Sequence, residues 1–311
     1  MKSFIYVLLF YFSLLIGSAA FAQTASNPKV VITGVRFSYP LVEKWIKDYQ
    51  AVNPNTTISI EARTTTDPAQ YDLLIEAYEP DAAVKESREY LYIGRYALLP
   101  VANATSAFAK AFSDKGLNKE LFNQVYFSDI YADKKNAKKI DFPYTVYTRL
   151  QKAGAPITFA HYFGFTQPNI KGKAISGADE HLIKALLRDT TGVSYSTPGL
   201  LYNLETRKPL DGLAVLPVDV DGNGRVSNDE KYFNDLDKVI SALETDDLKN
   251  IPVEYLHVSI SKTSTNPEAL RFLHWLIDHS NEDLHHFGYL NPDPEVFKKG
   301  KERLLKQVAF N

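Results

Sequence analysis

The 311-residue chain has no cysteine, which excludes disulfides, thiolate metal sites and a cysteine nucleophile together. It also lacks any long block of basic residues. With 35 Lys and Arg against 37 Asp and Glu the formal charge is −2, so the electrostatic footprint of a nucleic-acid binder is missing and a small partner is expected instead. There is no GxSxG elbow, no phosphate loop ending in Gly-Lys-Ser/Thr, no GxGxxG between a strand and a helix, and no HExxH. Acidic residues are many, but none stands out as an acid/base pair. Nothing in the sequence supports catalysis, and no enzyme is expected. Beyond the first residues no segment is apolar enough to cross a bilayer.

The N-terminus reads as a secretory leader. Lys2 supplies a positive start, Phe4 to Ile16 form an apolar run shorter than the ~20 residues of a span, and Ala20-Phe21-Ala22 offers a small-x-small cleavage pattern. Residues 1–22 are therefore expected to be removed, the alternative being a retained anchor. With no cysteine after the leader to carry a lipid, the expected product is a free periplasmic protein and a monomer. It would have about 289 residues (311 less 22), enough for two lobes with separate cores. The 18 Phe, 19 Tyr and two Trp can fill them.

Lys29 to Gly34 reads as a buried strand entering a turn. Leu41, Val42, Trp45, Ile46 and Tyr49 recur at helical spacing, with Ser38 as cap, Pro40 in the first turn and Asn53-Pro54-Asn55 as stop. Thr57 to Glu61 and Tyr71 to Ala77 add strands around a polar loop, the rhythm of a parallel sheet covered by helices. Tyr90 to Val101 reads as one long strand crossing into a second lobe. Leu117 to Ile130 looks helical, Ile140 to Arg149 extended, and a helix begins by Ile157. Gly192 to Leu204, Leu213 to Val218 and Val253 to Ile260 are further strands, and Tyr232 to Leu243 is a helix face. Lobe I is thus expected over residues 23–100 and 251–311, and lobe II over 101–250, joined by two connecting strands that act as a hinge.

Two strand-to-helix turns could hold an anion, because unpaired N–H groups and the helix dipole both favour negative charge there. One is Gly34-Val35-Arg36-Phe37-Ser38; the other follows Arg149 at Gly154-Ala155-Pro156. Each alone is also compatible with an ordinary turn and a solvated or paired arginine.

Taken together, these residues resemble the substrate-binding proteins of phosphate ABC transporters. That family opens with a turn and helix of the form GxxxSxPxxxKW, matched by Gly34 to Trp45, and the helix Leu117 to Tyr131 looks like its segment before the phosphate-clamping loop. Its arginine, three spacers and Ser-Gly-Thr fall here on Arg149, Ala153, Gly154 and Ala155. The likeness spans nearly the whole mature chain. It implies an α/β two-lobed periplasmic-binding-protein type II fold, two mixed sheets flanked by helices, with a small oxyanion in the cleft and an inner-membrane ABC permease as partner. Ala153 and Ala155 replace hydroxyl donors, removing two hydrogen bonds worth about 1.5–3 kcal/mol each. Thr64, Thr65 and Thr66, which could restore donors or form a plain solvated turn, replace the family's Ser- and Gly-rich loop. The family's phosphate-facing aspartate corresponds to a position among Asp72, Glu76 and Ala77, with Glu76 taken as the site candidate.

The most specific local signal is Asp219 to Glu230, which matches a twelve-residue calcium loop. Asp219, Asp221, Asn223, the Arg225 carbonyl, Ser227 and bidentate Glu230 would be ligands, with Gly224 at the sharp turn and a helix following. A strand before it suits a single structural calcium better than a paired sensor; the alternative is a metal-free polar turn. His274, His279 and the pair His285-His286 lack metal-ligand spacing. The function expected is a periplasmic solute-binding protein that hands an oxyanion to an importer. The alternative is a non-transport envelope protein using the fold for sensing or protein contact.

Overall fold

Apolar runs alternating with helix-period segments build two five-stranded sheets. The structure, a computed structural model, describes residues 29–62, 70–78, 82–127, 140–152, 154–245 and 248–308. The leader, Thr64 to Thr66 and Ala153 lie outside the described residues.

The first sheet contains β1 (Lys29–Gly34), β2 (Thr57–Ile60), β3 (Leu73–Glu76), β4 (Arg88–Ala97) and β10 (Val253–Ser261) in the order β2-β1-β3-β10-β4. β1 pairs parallel with β2 and β3, whereas β10 is antiparallel to β3 and β4. The second sheet has the order β7-β6-β8-β5-β9, from β5 (Leu99–Asn103), β6 (Thr145–Arg149), β7 (Lys173–Ile175), β8 (Gly192–Ser196) and β9 (Leu213–Val215). Here β6 runs parallel to β7 and β8, and β5 antiparallel to β8 and β9.

The first sheet carries α1 (Tyr39–Val52) and α2 (Ala82–Ser87) early in the chain. α3 (Ala107–Phe112), α4 (Lys119–Tyr126), α5 (Gly154–Tyr162), α6 (Asp179–Arg188), α7 (Pro198–Leu201) and α8 (Leu236–Thr245) lie between the two crossings. α9 (Pro267–His279) and α10 (Pro294–Val308) follow β10. α1 buries Leu41, Val42, Trp45, Ile46 and Tyr49, the face its spacing predicts. The buried apolar residues of the two sheets form one continuous cluster through the crossing at Leu98 and Leu99 rather than the two separate cores expected. Its part on the second sheet is aromatic: Phe159 of α5 stacks on Tyr195 of β8 with ring centroids 3.8 Å apart, and Phe122, Tyr126 and Phe163 pack around them.

The run Tyr90 to Val101 is two strands rather than one. β4 ends at Ala97 and β5 begins at Leu99 in the other sheet, with the Leu98 N–H donating to Pro252 O at 2.9 Å just before β10. Two antiparallel segments thus cross between the sheets side by side, a two-strand hinge. Other strands are shorter than their apolar runs. β6 starts only at Thr145, past Pro143, and β8 ends at Ser196 because Pro198 opens α7. The helix expected over Leu117 to Ile130 spans Lys119–Tyr126, capped by Asn118, whose side chain accepts from Leu121 N; residues 128–130 lie outside the described residues.

Candidate anion-binding cleft

At the end of β1 the backbone of Gly34 passes so close to β3 that an added Cβ would lie 2.0 Å from Ile75 O. Only glycine fits there. The Val35 N–H donates to the same Ile75 O at 2.9 Å, so this amide is not free for a ligand. A 3-10 turn, Arg36–Ser38, leads into α1, and the Arg36 and Phe37 N–H groups have no hydrogen-bond partner among the described residues. Ser38 does not cap the helix. Its backbone is already helical, and its buried hydroxyl donates to Val35 O at 2.7 Å instead of facing the cleft.

The second turn follows β6. Gly154 starts α5 against the segment after β3: a Cβ there would meet Ala77 Cβ at 2.8 Å and Ala77 O at 2.9 Å. Both glycines are therefore required by the same stretch, Ile75 to Ala77, which draws the two helix N-termini together. Tyr96 fastens the contact, its hydroxyl meeting both Ala77 O and Thr158 Oγ1 of α5.

Between the turns lies a cavity of about 350 Å³. It is lined by Gly34, Val35, Arg36, Phe37 and Glu76 from the first sheet's side, and by Arg149, Gly154 and Ala155 from the second. Of the proposed ligand-binding residues described, only Ser38 stays outside the lining. Ala155 presents no hydroxyl. Tyr39, Tyr78, Gln151, Lys152 and Asp179 also line it, and none of these had been singled out from sequence.

Arg149 Nη1 lies 2.8 Å from Asp179 Oδ1, at the first residue of α6. Burial raises the Asp179 carboxyl above its ordinary value even though the Arg149 charge draws it down. Among the alternatives for a phosphate-facing acid, Asp72 accepts from Val31 N and Asn266 Nδ2 and lies outside the lining, and Ala77 is fully buried. Glu76 does face the cavity, and its carboxylate is 3.6 Å from Nε2 of the fully buried His257, its partner across β3 and β10. The lining thus carries Arg36, Arg149 and Lys152 against Glu76 and Asp179. Three cations, two anions and two helix starts can hold a small oxyanion, with a carboxylate able to accept a hydrogen bond from a protonated one.

At Asp219 to Glu230, carboxylate oxygens of Asp219, Asp221 and Glu230 lie within 4.8 Å of one another. Asp219 and Glu230 are buried, whereas Asp221 is exposed. Burial holds the Asp219 carboxyl above its ordinary value, against the amides of Gly224 and Asn223 that lower it. The Asn223 N–H donates to Asp219 and Asp221, the Arg225 N–H to Asn223, and the Val220, Asp221 and Ser227 N–H groups to Glu230. Gly224 has φ +94°. No helix follows directly: a 3-10 turn, Asn228–Glu230, comes first, and α8 begins only at Leu236. The oxygen-only donor set fits a hard dication.

No family model matches the chain, and no curated protein matches it. Solved structures do. One is described as a phosphate ABC transporter substrate-binding protein with bound phosphate, from Clostridium perfringens; it is 13% identical, with TM-score 0.62 over 85% of this chain and 100% of that one. An ABC-type phosphate transport receptor from Vibrio cholerae is 13% identical, with TM-score 0.58 and the same coverage. The CcmR regulatory domain of Synechocystis PCC6803 in complex with 2-PG is 11% identical, with TM-score 0.51 over 82% of this chain and 98% of that one. The fold is that of the two-lobed periplasmic binding proteins, which regulatory domains share. Among the described residues no helix is long and apolar enough to cross a membrane.

Proposed function

We propose that the protein is a solute-binding protein that captures a small oxyanion, phosphate or a relative, in the periplasm and hands it to an inner-membrane ABC importer. The observation that carries this reading is the convergence of two strand-to-helix turns, one from each sheet, on a single cavity containing Arg36, Arg149 and Lys152. Arg149 supplies a nearly buried charge, and the amides of Arg36, Phe37, Gly154 and Ala155 orient the oxygens. Thr64 to Thr66 are proposed as further donors. Closure of the lobes about the crossing at Leu98 and Pro252 would exclude water from the bound anion. The role asks for no covalent chemistry. Calorimetric titration with phosphate, sulfate, molybdate and small carboxylates tests it, and absence of binding to all of them ends the proposal.

Sensing without transport is the second reading, favoured by the regulatory domain that shares the fold and by the missing hydroxyl at Ala155. Uptake of labelled ligand by cells with and without the gene separates the two: unchanged uptake alongside measurable binding selects sensing.

The loop from Asp219 to Glu230 is proposed to hold one calcium ion that stiffens the second lobe, through Asp219, Asp221, Asn223, the Arg225 carbonyl, Ser227 and Glu230. Its support is the cluster of three carboxylates, two of them buried, on a loop that has the full twelve-residue pattern.

A further inference from the structure

The anion cavity does not end at Arg149. A second cavity of about 860 Å³ adjoins it, and Tyr78, Arg149 and Lys152 line both. A tetrahedral oxyanion of five heavy atoms needs on the order of 100 Å³, on the scale of about 30 Å³ per water molecule. The first cavity alone, at about 350 Å³, exceeds that. The second has an apolar wall of Leu150, Ile157, Phe165 and Ala174. Leu150, 60% exposed, directly follows the nearly buried Arg149 and lines this second space, so the apolar wall begins one residue from the guanidinium. The wall is fixed to the anion site, since Gln167 Nε2 donates to Arg149 O at 3.2 Å and to Gln151 O at 3.0 Å.

An inorganic anion would leave this second space to water. A ligand with a doubly charged head and a compact organic group would fill both, the head against Arg36, Arg149 and Lys152 and the organic group on the apolar wall. Resting on the oxyanion reading, we propose that the ligand is a phosphate monoester, with its phosphoryl group in the first cavity and its organic group in the second. Lys152 and the Arg149 guanidinium stand at the junction, where the ester oxygen would lie.

Titration of the full chain with inorganic phosphate, glycerol 3-phosphate and phenyl phosphate tests the proposal. At least one monoester is expected to bind about tenfold or more tightly than inorganic phosphate. Ala174→Trp, at an exposed position that lines the second cavity and not the first, is expected to erase that margin and leave inorganic phosphate binding unchanged. If inorganic phosphate binds as tightly as both esters, the monoester proposal falls and the oxyanion reading stands. If none of the three binds, the monoester proposal falls, and the oxyanion reading is decided by the titrations with sulfate, molybdate and small carboxylates. A margin that survives in folded Ala174→Trp puts the organic group elsewhere and overturns the proposal. The wild-type comparison is decisive even if the variant does not fold.

Discussion

Arg149 and Asp179 form a nearly buried ion pair at the head of the cleft, 2.8 Å apart, with 10% and 9% of their side chains exposed. The pair joins the carboxyl end of β6 to the first residue of α6. It sets both the stability of the second lobe and the charge any ligand meets.

Removing the guanidinium leaves a buried carboxylate without compensation, a change that costs about 3–5 kcal/mol. Arg149→Met is expected to lose that much at pH 7 and to bind no oxyanion. The sign of the pH dependence follows from Asp179, whose carboxyl burial raises above its ordinary 3.8. A raised carboxyl exacts nothing below its unfolded-state value and destabilises progressively as pH rises past it. The deficit of Arg149→Met should therefore shrink as pH falls from 7 toward 4. Urea denaturation of both proteins at pH 7 and pH 4.5 checks this, and an equal deficit at both would contradict it.

On the oxyanion reading, Asp179 would also bear on which anion enters, since it lines the cavity beside Arg149. Its carboxylate can accept a hydrogen bond from the P–OH of a protonated anion such as phosphate but would face sulfate, which carries no proton, only with repulsion. Asp179→Asn is expected to raise sulfate affinity relative to phosphate by about tenfold or more, since a hydrogen bond to a charged group is worth about 1.5–3 kcal/mol. Paired titrations at pH 7 measure the ratio, and an unchanged ratio would remove Asp179 from ligand selection.

The turns were legible in the sequence because their signals are local: a glycine after an apolar run, a proline in the first turn, an arginine five residues before Gly154. Asp179 was not, because it is thirty positions from its partner Arg149 and looks like any acid at a helix start. Ser38 misled for a related reason. A serine before Tyr39-Pro40 reads as a cap, but the 3-10 turn places it already in helical geometry, and its hydroxyl turns back to Val35 O. Pro100 marked the crossing in the apolar run Tyr90 to Val101 to within two residues, but not the break into two strands at Leu98, because both halves are buried in sheets and only the partner strands differ.

Gly34 and Gly154 both press on Ile75 to Ala77, yet they should not respond alike. An alanine methyl at 34 would sit 2.0 Å from a backbone oxygen, which cannot move without breaking the β1–β3 ladder. At 154 the nearest atoms are 2.8 and 2.9 Å away, and the end of α5 can shift slightly. Gly154→Ala is expected to cost about 1–3 kcal/mol, in the range of overpacked cores, and to weaken anion binding. Gly34→Ala is expected to cost more and to fold poorly. Thermal melts rank the two, and equal stability would show that the Ile75 contact relaxes freely.

A calcium ion held by Asp219, Asp221 and Glu230 would bind the folded chain and not the unfolded one, so its effect should appear as a shift in melting temperature. At a free concentration one hundred times Kd the gain is about 2.7 kcal/mol, which at about 2–4 °C per kcal/mol for a domain of this size is a rise of about 5–10 °C. Adding chelator should reverse it. Asp221 is the residue to change, because it is the exposed carboxylate of the three, held by the N–H and side-chain amide of Asn223 rather than buried in the fold. Asp221→Asn should melt like the chelated wild type and gain nothing from calcium. If wild type itself shows no shift between chelator and millimolar calcium, the loop is a polar turn closed by its own amides, with Glu230 already satisfied by the Val220, Asp221 and Ser227 N–H groups.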